Sequence, residues 1–189
     1  TILPNQQRLG SEMASQCFID ALRQTGHRVL AVGYMRQDEP FELGRSEILV
    51  AQRYFESKQA RWYLLFWIML SLGLHLPYSS VKYYSPTYIQ RVETLLCHPF
   101  DLVVIDHPQL GWLQPFLPVG RKLVMIAHNL EEQTYAQQAA LSNRAMQWFY
   151  RREARLMQRL ETDLAKEADQ IWTFSEPATQ YFTQLSQRT

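Results

Sequence analysis

The sequence predicts an α/β fold in which a doubly wound, mostly parallel sheet is flanked by helices. Short apolar runs rich in β-branched residues recur within residues 29–32, 101–112, 121–129 and 169–177. Runs of this length are typical of strands buried on both faces of a parallel sheet. Segments with helical spacing of apolar residues alternate with them, and no internal repeat is present. This alternation predicts parallel βαβ units with right-handed crossovers.

The composition is that of one ordinary globular domain, which we assign to residues 1–189. Of these residues 47% are hydrophobic and 20% are charged, enough to build a core. The formal net charge of +1 gives no support for nucleic-acid binding. Cys17 and Cys97 lie far apart, so neither a disulfide framework nor a zinc site is predicted. A reducing cytoplasm is the expected location.

The first segment has the pattern that opens a βαβ unit. Residues 1–3 are interpreted as the end of a strand that begins upstream. Gly10 allows a tight turn, Ser11 can cap a helix, and Gly26 ends that helix. A buried strand is predicted at residues 29–32. The apolar stripe of the helix comprises Ala14, Cys17, Phe18, Ala21 and Leu22.

Further elements follow from composition and periodicity. Residues 35–45 are largely charged and predict a loop, and residues 48–55 predict a short strand. Residues 86–97 and 143–167 repeat apolar residues at helical spacing and predict amphipathic helices. Glu153 lies on the apolar stripe of the longer helix, so we expect it to pair with Arg152, Arg155 or Arg159.

The most apolar segment, residues 62–76, predicts a helix. Only these fifteen residues separate Arg61 from Pro77, whereas a membrane span needs about 20 predominantly apolar residues. We therefore expect a helix that packs on the domain or contacts a membrane surface without crossing it.

Polar residues follow the predicted strands at the edge where the carboxyl ends of the strands meet. Ligands bind at this edge in open parallel sheets. A single histidine after a strand is often only a loop residue that is hydrogen-bonded to backbone. The prediction therefore depends on polar residues occurring at several strand ends together. Four tips carry such residues: Gly10-Ser11, Asp106-His107, His128-Asn129 and Ser175-Glu176.

The motifs limit what the ligand is. Gly10 and Ser11 at a helix N-terminus can offer backbone N–H groups and the positive end of the helix dipole to a phosphate. The chain has neither GxGxxG nor GxxxxGK(S/T), and it has no GxSxG or HExxH motif. A metal site at Asp106, His107 and His128 is a weaker interpretation, because helical ligand spacing is absent.

Taken together, the motifs resemble the N-terminal half of GT-B glycosyltransferases. More narrowly, they are similar to the large retaining family (group 1, family 4-like) whose Rossmann-like N-terminal domain binds the acceptor. The resemblance covers nearly the whole chain and depends on the order and spacing of the motifs. In chain order these are Gly10-Ser11-Glu12, Gly26-His27-x-Val29, Leu76-Pro77-Tyr78, Lys82-Tyr83, Asp101 to Asp106, His128-Asn129-x-Glu131, Glu161, Ala168-Asp169 and Thr173-x-Ser175.

The resemblance implies one half of a GT-B fold, with the donor-binding domain absent from these residues. It implies an enzyme that moves a sugar from a nucleotide-sugar donor to a hydroxyl of a glycan, lipid or small molecule, with retained configuration. No cofactor and no metal are implied. The implied partners are the nucleotide sugar and a glycan or lipid-linked acceptor, with possible peripheral contact to the inner face of the membrane.

The resemblance also implies roles for single residues. Gly10 and Ser11 would approach the donor diphosphate, and His128 would be the catalytic residue that faces the transferring sugar. We expect the His128 side chain to project beyond the sheet edge and to contribute little to stability. The remaining implied substrate-binding residues are Asp106, Asn129, Glu131 and Ser175, with Asp106 a distant candidate for deprotonating the acceptor.

Two alternatives stay open. One is a stand-alone binding or regulatory module that keeps the half-fold without catalysis, which a further α/β domain downstream would argue against. The other is a flavodoxin-like binder, which predicts flavin or nucleotide bound to the isolated chain.

Overall fold

The computed structural model describes residues 2–3, 10–37, 43–44, 46–55 and 60–186. Within them, helices and parallel strands alternate along most of the chain. The strands are β1 (Ala31–Arg36), β2 (Glu47–Arg53), β3 (Val103–Asp106), β4 (Leu123–Ala127) and β5 (Gln170–Thr173). The helices are α1 (Gly10–Gln24), α2 (Ala60–Leu74), α3 (Tyr78–Val81), α4 (Pro86–Leu96), α5 (Glu131–Leu141), α6 (Arg144–Glu167) and α7 (Glu176–Ser186), with a 3-10 helix at Pro108–Phe116.

The described strands form two parallel sheets. One has the order β3-β4-β5, and the other pairs β1 with β2. Ile2 forms an isolated parallel bridge to Tyr34 of β1. The prediction of an α/β fold with parallel strands flanked by helices is confirmed, but the strands divide between two sheets instead of forming one.

The central strand β4 positions the core. All five of its side chains, predicted as a buried run, are buried. An apolar cavity of about 220 Å³ lies between β1 and β3, with Phe18 of α1 and Val92 of α4 in its wall. Its few polar neighbours include Ser15 and Asp106.

Several predicted boundaries are corrected. The strand predicted at residues 29–32 is β1, which runs to Arg36, so the predicted loop begins later than residue 35. Arg36 is tolerated in a buried strand because its Nη2 lies 2.7 Å from Glu12 Oε1 of α1. Ser11 lies inside the first turn of α1, which begins at Gly10, so Ser11 is not the residue before the helix.

Two of the elements that were not predicted show why sequence pattern failed. Helix α5 has a polar sequence with little amphipathic pattern, and its first turn is fixed from outside by Glu161, whose Oε1 accepts a hydrogen bond from Glu131 N at 3.1 Å. The 3-10 helix begins at Pro108 and contains Pro115, so periodicity gave no signal for it.

Helix α6 confirms the predicted partner of its buried glutamate. Arg152 Nη1 lies 2.6 Å from Glu153 Oε1, and Tyr78 N donates to Glu153 Oε2 at 2.5 Å. Asn143 caps α6, since its Oδ1 accepts a hydrogen bond from Met146 N.

The predicted apolar helix is α2, shifted two residues towards the N-terminus. At 15 residues it is about 22 Å long. Among the described helices, none combines the length and the apolar character that a membrane crossing requires.

Candidate functional site

The carboxyl ends of β3 and β4 bring three predicted residues into contact. Asp106 pairs with Ile126 in the parallel register, so the tips of both strands lie side by side. His128 Nε2 lies 2.6 Å from Asp106 Oδ1. The rings of His107 and His128 stack with centroids 4.1 Å apart and an interplanar angle of 20°.

Both carboxylate oxygens of Asp106 are engaged. Ser15 Oγ donates to Oδ2 at 2.5 Å, and His128 bonds to Oδ1. Burial alone would raise the pKa of Asp106, but the hydrogen bond from His128, the charges of both histidines and the bond from Ser15 outweigh it and lower the pKa. Asp106 is therefore ionised and already hydrogen-bonded, which suits it to hold His128 and makes it a poor base.

His128 is enclosed. Its side chain is only 4% exposed, since His107 covers one face of the ring and Phe174 stacks on it at 4.9 Å and 23°. The prediction that this side chain projects freely beyond the sheet edge is wrong. The reason is tertiary: the tip of β5 brings Phe174 over the end of β4.

His107 has an unusual backbone. Its φ of 82° and ψ of 129° lie in a region that residues other than glycine seldom adopt. Its Nδ1 is buried and has no hydrogen-bond partner among the described residues. Burial lowers the pKa of His107 to about 4, so the ring is neutral at pH 7.

A polar cavity of about 150 Å³ opens beside His107. Segments distant in sequence contribute to it, namely α1, the turn after α3, the tip of β3 and the connection from β4 to α5. Three predicted substrate-binding residues meet here, whereas no site role was predicted for Glu12, Tyr83 or Gln109. The lining comprises Ile2, Ser11, Glu12, Tyr83, His107, Gln109, Asn129 and Glu131.

The polar cavity is the better site candidate of the two cavities. The larger one is lined mainly by side chains of the apolar core, which offer few groups for orienting a ligand. The smaller one is lined mainly by polar side chains. It lies at the strand ends, where open parallel sheets bind ligands.

The other predicted residues lie elsewhere. Asp106 and His128 stand behind His107 and do not line the polar cavity. Gly10 starts α1 and is also outside the lining. Ser175 has a structural role, because its Oγ accepts a hydrogen bond from Ala178 N in the first turn of α7.

Two acidic residues meet at the start of α5, namely Glu131, its first residue, and Glu161 of α6. Burial raises the pKa of Glu131, and a hydrogen bond with Gln109 opposes that rise. Glu161, behind Glu131 on α6, is fully buried. Burial raises the pKa of Glu161 to about 8, with the charge of Glu131 adding to the effect. Glu161 therefore supports the backbone of the cavity wall as a largely neutral carboxyl at pH 7.

The described wall of the cavity carries acidic side chains. Among the described lining residues none is Lys or Arg, while Glu12 and Glu131 are acidic. Arg36 pairs with Glu12, and burial raises the pKa of Glu131. Such a wall offers hydrogen-bonding groups to a ligand rich in hydroxyl groups, and the phosphate expected at Gly10 and Ser11 stays a prediction.

The histidine cluster also bears on metal binding. One possible ligand atom from each of Asp106, His107 and His128 lies within 4.8 Å of the others. Imidazole lone pairs lie in the ring plane, however, and the nearly parallel stacked rings direct them side by side. Zinc needs both nitrogens at about 2.0–2.1 Å. The observed geometry favours a hydrogen-bonded carboxylate–histidine pair.

Comparison of the chain with protein-family models, with curated proteins and with solved structures gave no significant match to any of them. The resemblance to glycosyltransferases therefore stays a prediction from the sequence.

Proposed function

We propose that the chain is the acceptor-binding half of a retaining glycosyltransferase with a GT-B architecture. The observation that carries the proposal is the polar cavity at the carboxyl edge of the strands, with Ser11, Asn129 and Glu131 in its wall. These three residues belong to the motifs on which the resemblance depends. The parallel α/β arrangement is compatible with that architecture.

The lining chemistry supports a sugar as the ligand. Each sugar hydroxyl donates one hydrogen bond and accepts others. Asn129 and Gln109 offer both donors and acceptors, and Glu131 offers acceptors. Tyr83 adds an amphipathic side chain to the wall.

The two histidines take different parts in this proposal. His107 is neutral and lines the cavity, so it is suited to hydrogen-bond a ligand hydroxyl. His128 acts as a positioning residue: Asp106 holds it, and its ring supports the ring of His107. The sugar contact that the resemblance assigns to His128 thus passes, in our proposal, to His107.

Transfer itself requires a donor domain. A nucleotide sugar held by that domain would present its anomeric carbon to an acceptor hydroxyl fixed in the cavity, so the contribution of this chain is orientation. We propose a cytoplasmic enzyme that acts on a glycan or a lipid-linked acceptor.

The test is carbohydrate binding by the 189-residue chain, measured by saturation-transfer NMR against a panel of monosaccharides and oligosaccharides. Glu131→Gln should weaken any binding at least about tenfold, because a charge-assisted hydrogen bond to a hydroxyl is lost. Glu132→Gln is the matched control, since Glu132 is the next residue of α5 and does not line the cavity. Equal losses in both variants, or binding of flavin or nucleotide in place of sugars, would reject the proposal.

A second candidate is a binding module without catalysis. The observation that favours it is that both oxygens of Asp106 are engaged and His128 is enclosed, so neither is free to act as a base. Both candidates predict no sugar transfer by the isolated chain. They differ in the full-length protein, where only the enzyme turns over a nucleotide sugar, with activity lost in the Glu131→Gln variant.

A further inference from the structure

Helix α2 exposes an apolar surface of unusual extent. Its sequence contains no acidic residue. Trp67 and Ser71 form its buried side, while the opposite side faces outward. Four large side chains define what we call the α2 face: Leu65 at 72% exposure, Phe66 at 58%, Met69 at 69% and Leu72 at 46%. A contiguous apolar surface of this kind marks an interaction site.

Helix α6 carries a basic stripe on its exposed side. Arg144, Arg151, Arg155 and Arg159 are spaced seven, four and four residues apart on α6, so they share one side of the helix, and all four are exposed. Trp148 lies on the same side and is 63% exposed.

Direct contacts join helices α2 and α6. Arg152 lies next to the basic stripe on α6, and its guanidinium donates to Ser71 O of α2 at 2.9 Å and to Ser71 Oγ at 3.0 Å. On the same side, the ring of Tyr78 contacts both Trp67 of α2 and Phe149 of α6. The ammonium of Lys82 lies 4.7 Å from the centre of the same Tyr78 ring.

We propose that the α2 face and the basic stripe together dock on an anionic lipid surface. The apolar side chains enter the interface between headgroups and acyl chains, and the arginines contact lipid phosphates and other negative headgroups. The exposed tryptophan suits the same depth, because its ring is apolar and its N–H can reach polar headgroups. The length of α2 excludes a span and allows this parallel placement.

Charge favours a membrane over a second copy of the chain as the occupant. The four exposed arginines carry charges of one sign, and α2 itself has no acidic residue. A negatively charged surface is the complement of these charges, and a second copy of the chain would bring the same positive charges together. The inference is independent of the polar cavity and of the proposed transfer.

The experiment is co-sedimentation of the chain with vesicles of phosphatidylcholine, alone or with roughly 30% phosphatidylglycerol. We expect binding only to the anionic vesicles, and we expect it to weaken strongly between about 0.1 and 1 M salt. The double variant Arg151→Gln/Arg155→Gln should lower the partition coefficient about thirtyfold, which corresponds to ~1 kcal/mol per basic residue. Leu65→Gln/Met69→Gln should lower it by more than about tenfold.

Matched double variants on other elements serve as controls. Arg28→Gln/Arg91→Gln removes two exposed arginines outside the stripe, and Val119→Gln/Leu141→Gln removes two exposed apolar side chains outside the α2 face. Both should bind as the parent does, with unchanged melting temperatures in all four variants. Absence of binding to anionic vesicles, or equal losses in the controls, would overturn the proposal. A concentration-dependent dimer that Leu65→Gln/Met69→Gln abolishes would assign the face to a second copy and also overturn it.

Discussion

His107 and His128 occupy equivalent positions at the tips of neighbouring parallel strands, yet they are fixed in opposite ways. His128 is held through its side chain, by a 2.6 Å hydrogen bond to Asp106 and by rings on both faces. His107 is held through its backbone, at a positive φ, while its Nδ1 has no hydrogen-bond partner among the described residues.

The difference distinguishes a residue that supports the site from a residue that can contact a ligand. A histidine whose ring is fully engaged contributes to the shape of the site and has little left to offer a ligand. A histidine kept in a costly backbone conformation, neutral and at a cavity wall, is available for binding. Strained residues persist where the surrounding structure over-determines them, and they cluster at functional sites.

The largest effect should come from His128→Ala. The variant leaves the Asp106 carboxylate without its main partner and opens a space between His107 and Phe174. We expect a loss of about 3–4 kcal/mol in the free energy of unfolding, since a hydrogen bond to a charged carboxylate is lost and a nearly buried ring is removed. Urea denaturation measures it, with Asp106→Asn as a milder companion. A loss below about 1 kcal/mol would mean that the ring is not a support.

The next effect concerns acid sensitivity. Burial lowers the pKa of His107 to about 4 in the folded chain, below its ordinary 6.5. Between these two pKa values the unfolded chain binds a proton that the folded chain does not bind. The stability that the neutral His107 ring contributes is therefore present above pH 6.5 and is lost as the pH falls from 6.5 to 4. The free energy of unfolding should fall by about 2–3 kcal/mol over this pH range, at ~1.4 kcal/mol per pH unit.

His107→Gln should remove this part of the acid sensitivity. Melting temperatures between pH 7 and pH 4 should fall less steeply for the variant than for the parent. The raised pKa of Glu161 is shared by both proteins and cancels in the difference, whereas the pKa of Asp106 rises in the variant because the charge of His107 helps to lower it. His27→Gln, at an exposed position on another part of the chain, controls for loss of a histidine. Parallel curves for parent and His107→Gln would contradict the interpretation.

Glycine and alanine variants at positions 107 and 128 distinguish the effect of the backbone from the effect of the side chain. At position 107, glycine relieves the positive φ, so His107→Gly should be more stable than His107→Ala by about 1–2 kcal/mol. At position 128 we expect the opposite order, with His128→Ala more stable than His128→Gly by about 0.5–1 kcal/mol, because glycine there only adds freedom to the unfolded chain. The four variants are compared in urea. The same order at both positions would show that the two backbones do not differ as described.

The sequence was most informative where structure depends on local pattern. The apolar run of β4 predicted its burial, and the position of Glu153 on an apolar stripe predicted a partner that proved to be Arg152. Helix α5 escaped prediction because its start depends on Glu161, which lies thirty residues further along the chain. The division into two sheets likewise depends on how distant strands pack, which periodicity does not encode.

The site follows the same rule. Ser11 and Asn129 were predicted from strand ends and Glu131 from the resemblance, and they share a cavity because the carboxyl ends of parallel strands meet. Tyr83 and Gln109 enter that cavity from a turn and a 3-10 helix, whose placement has no local signature. The enclosure of His128 was missed because Phe174, at the tip of a different strand, supplies it.

The smallest effect should come from Phe174→Ala, which tests that enclosure from the solvent side. Phe174 is itself 58% exposed, so its removal should lower the free energy of unfolding by only about 0.5–1 kcal/mol. Its ring stacks on His128, however, and the ring current should shift the NMR resonance of the His128 Cε1 proton. We expect that resonance to move in Phe174→Ala and the His107 resonance to move less, because His107 lies on the far side of the His128 ring. Phe174→Leu keeps apolar cover without an aromatic ring, so it should restore stability while leaving the resonance shifted. A loss above about 2 kcal/mol would place Phe174 in the core, and an unmoved His128 resonance would remove it from the stack.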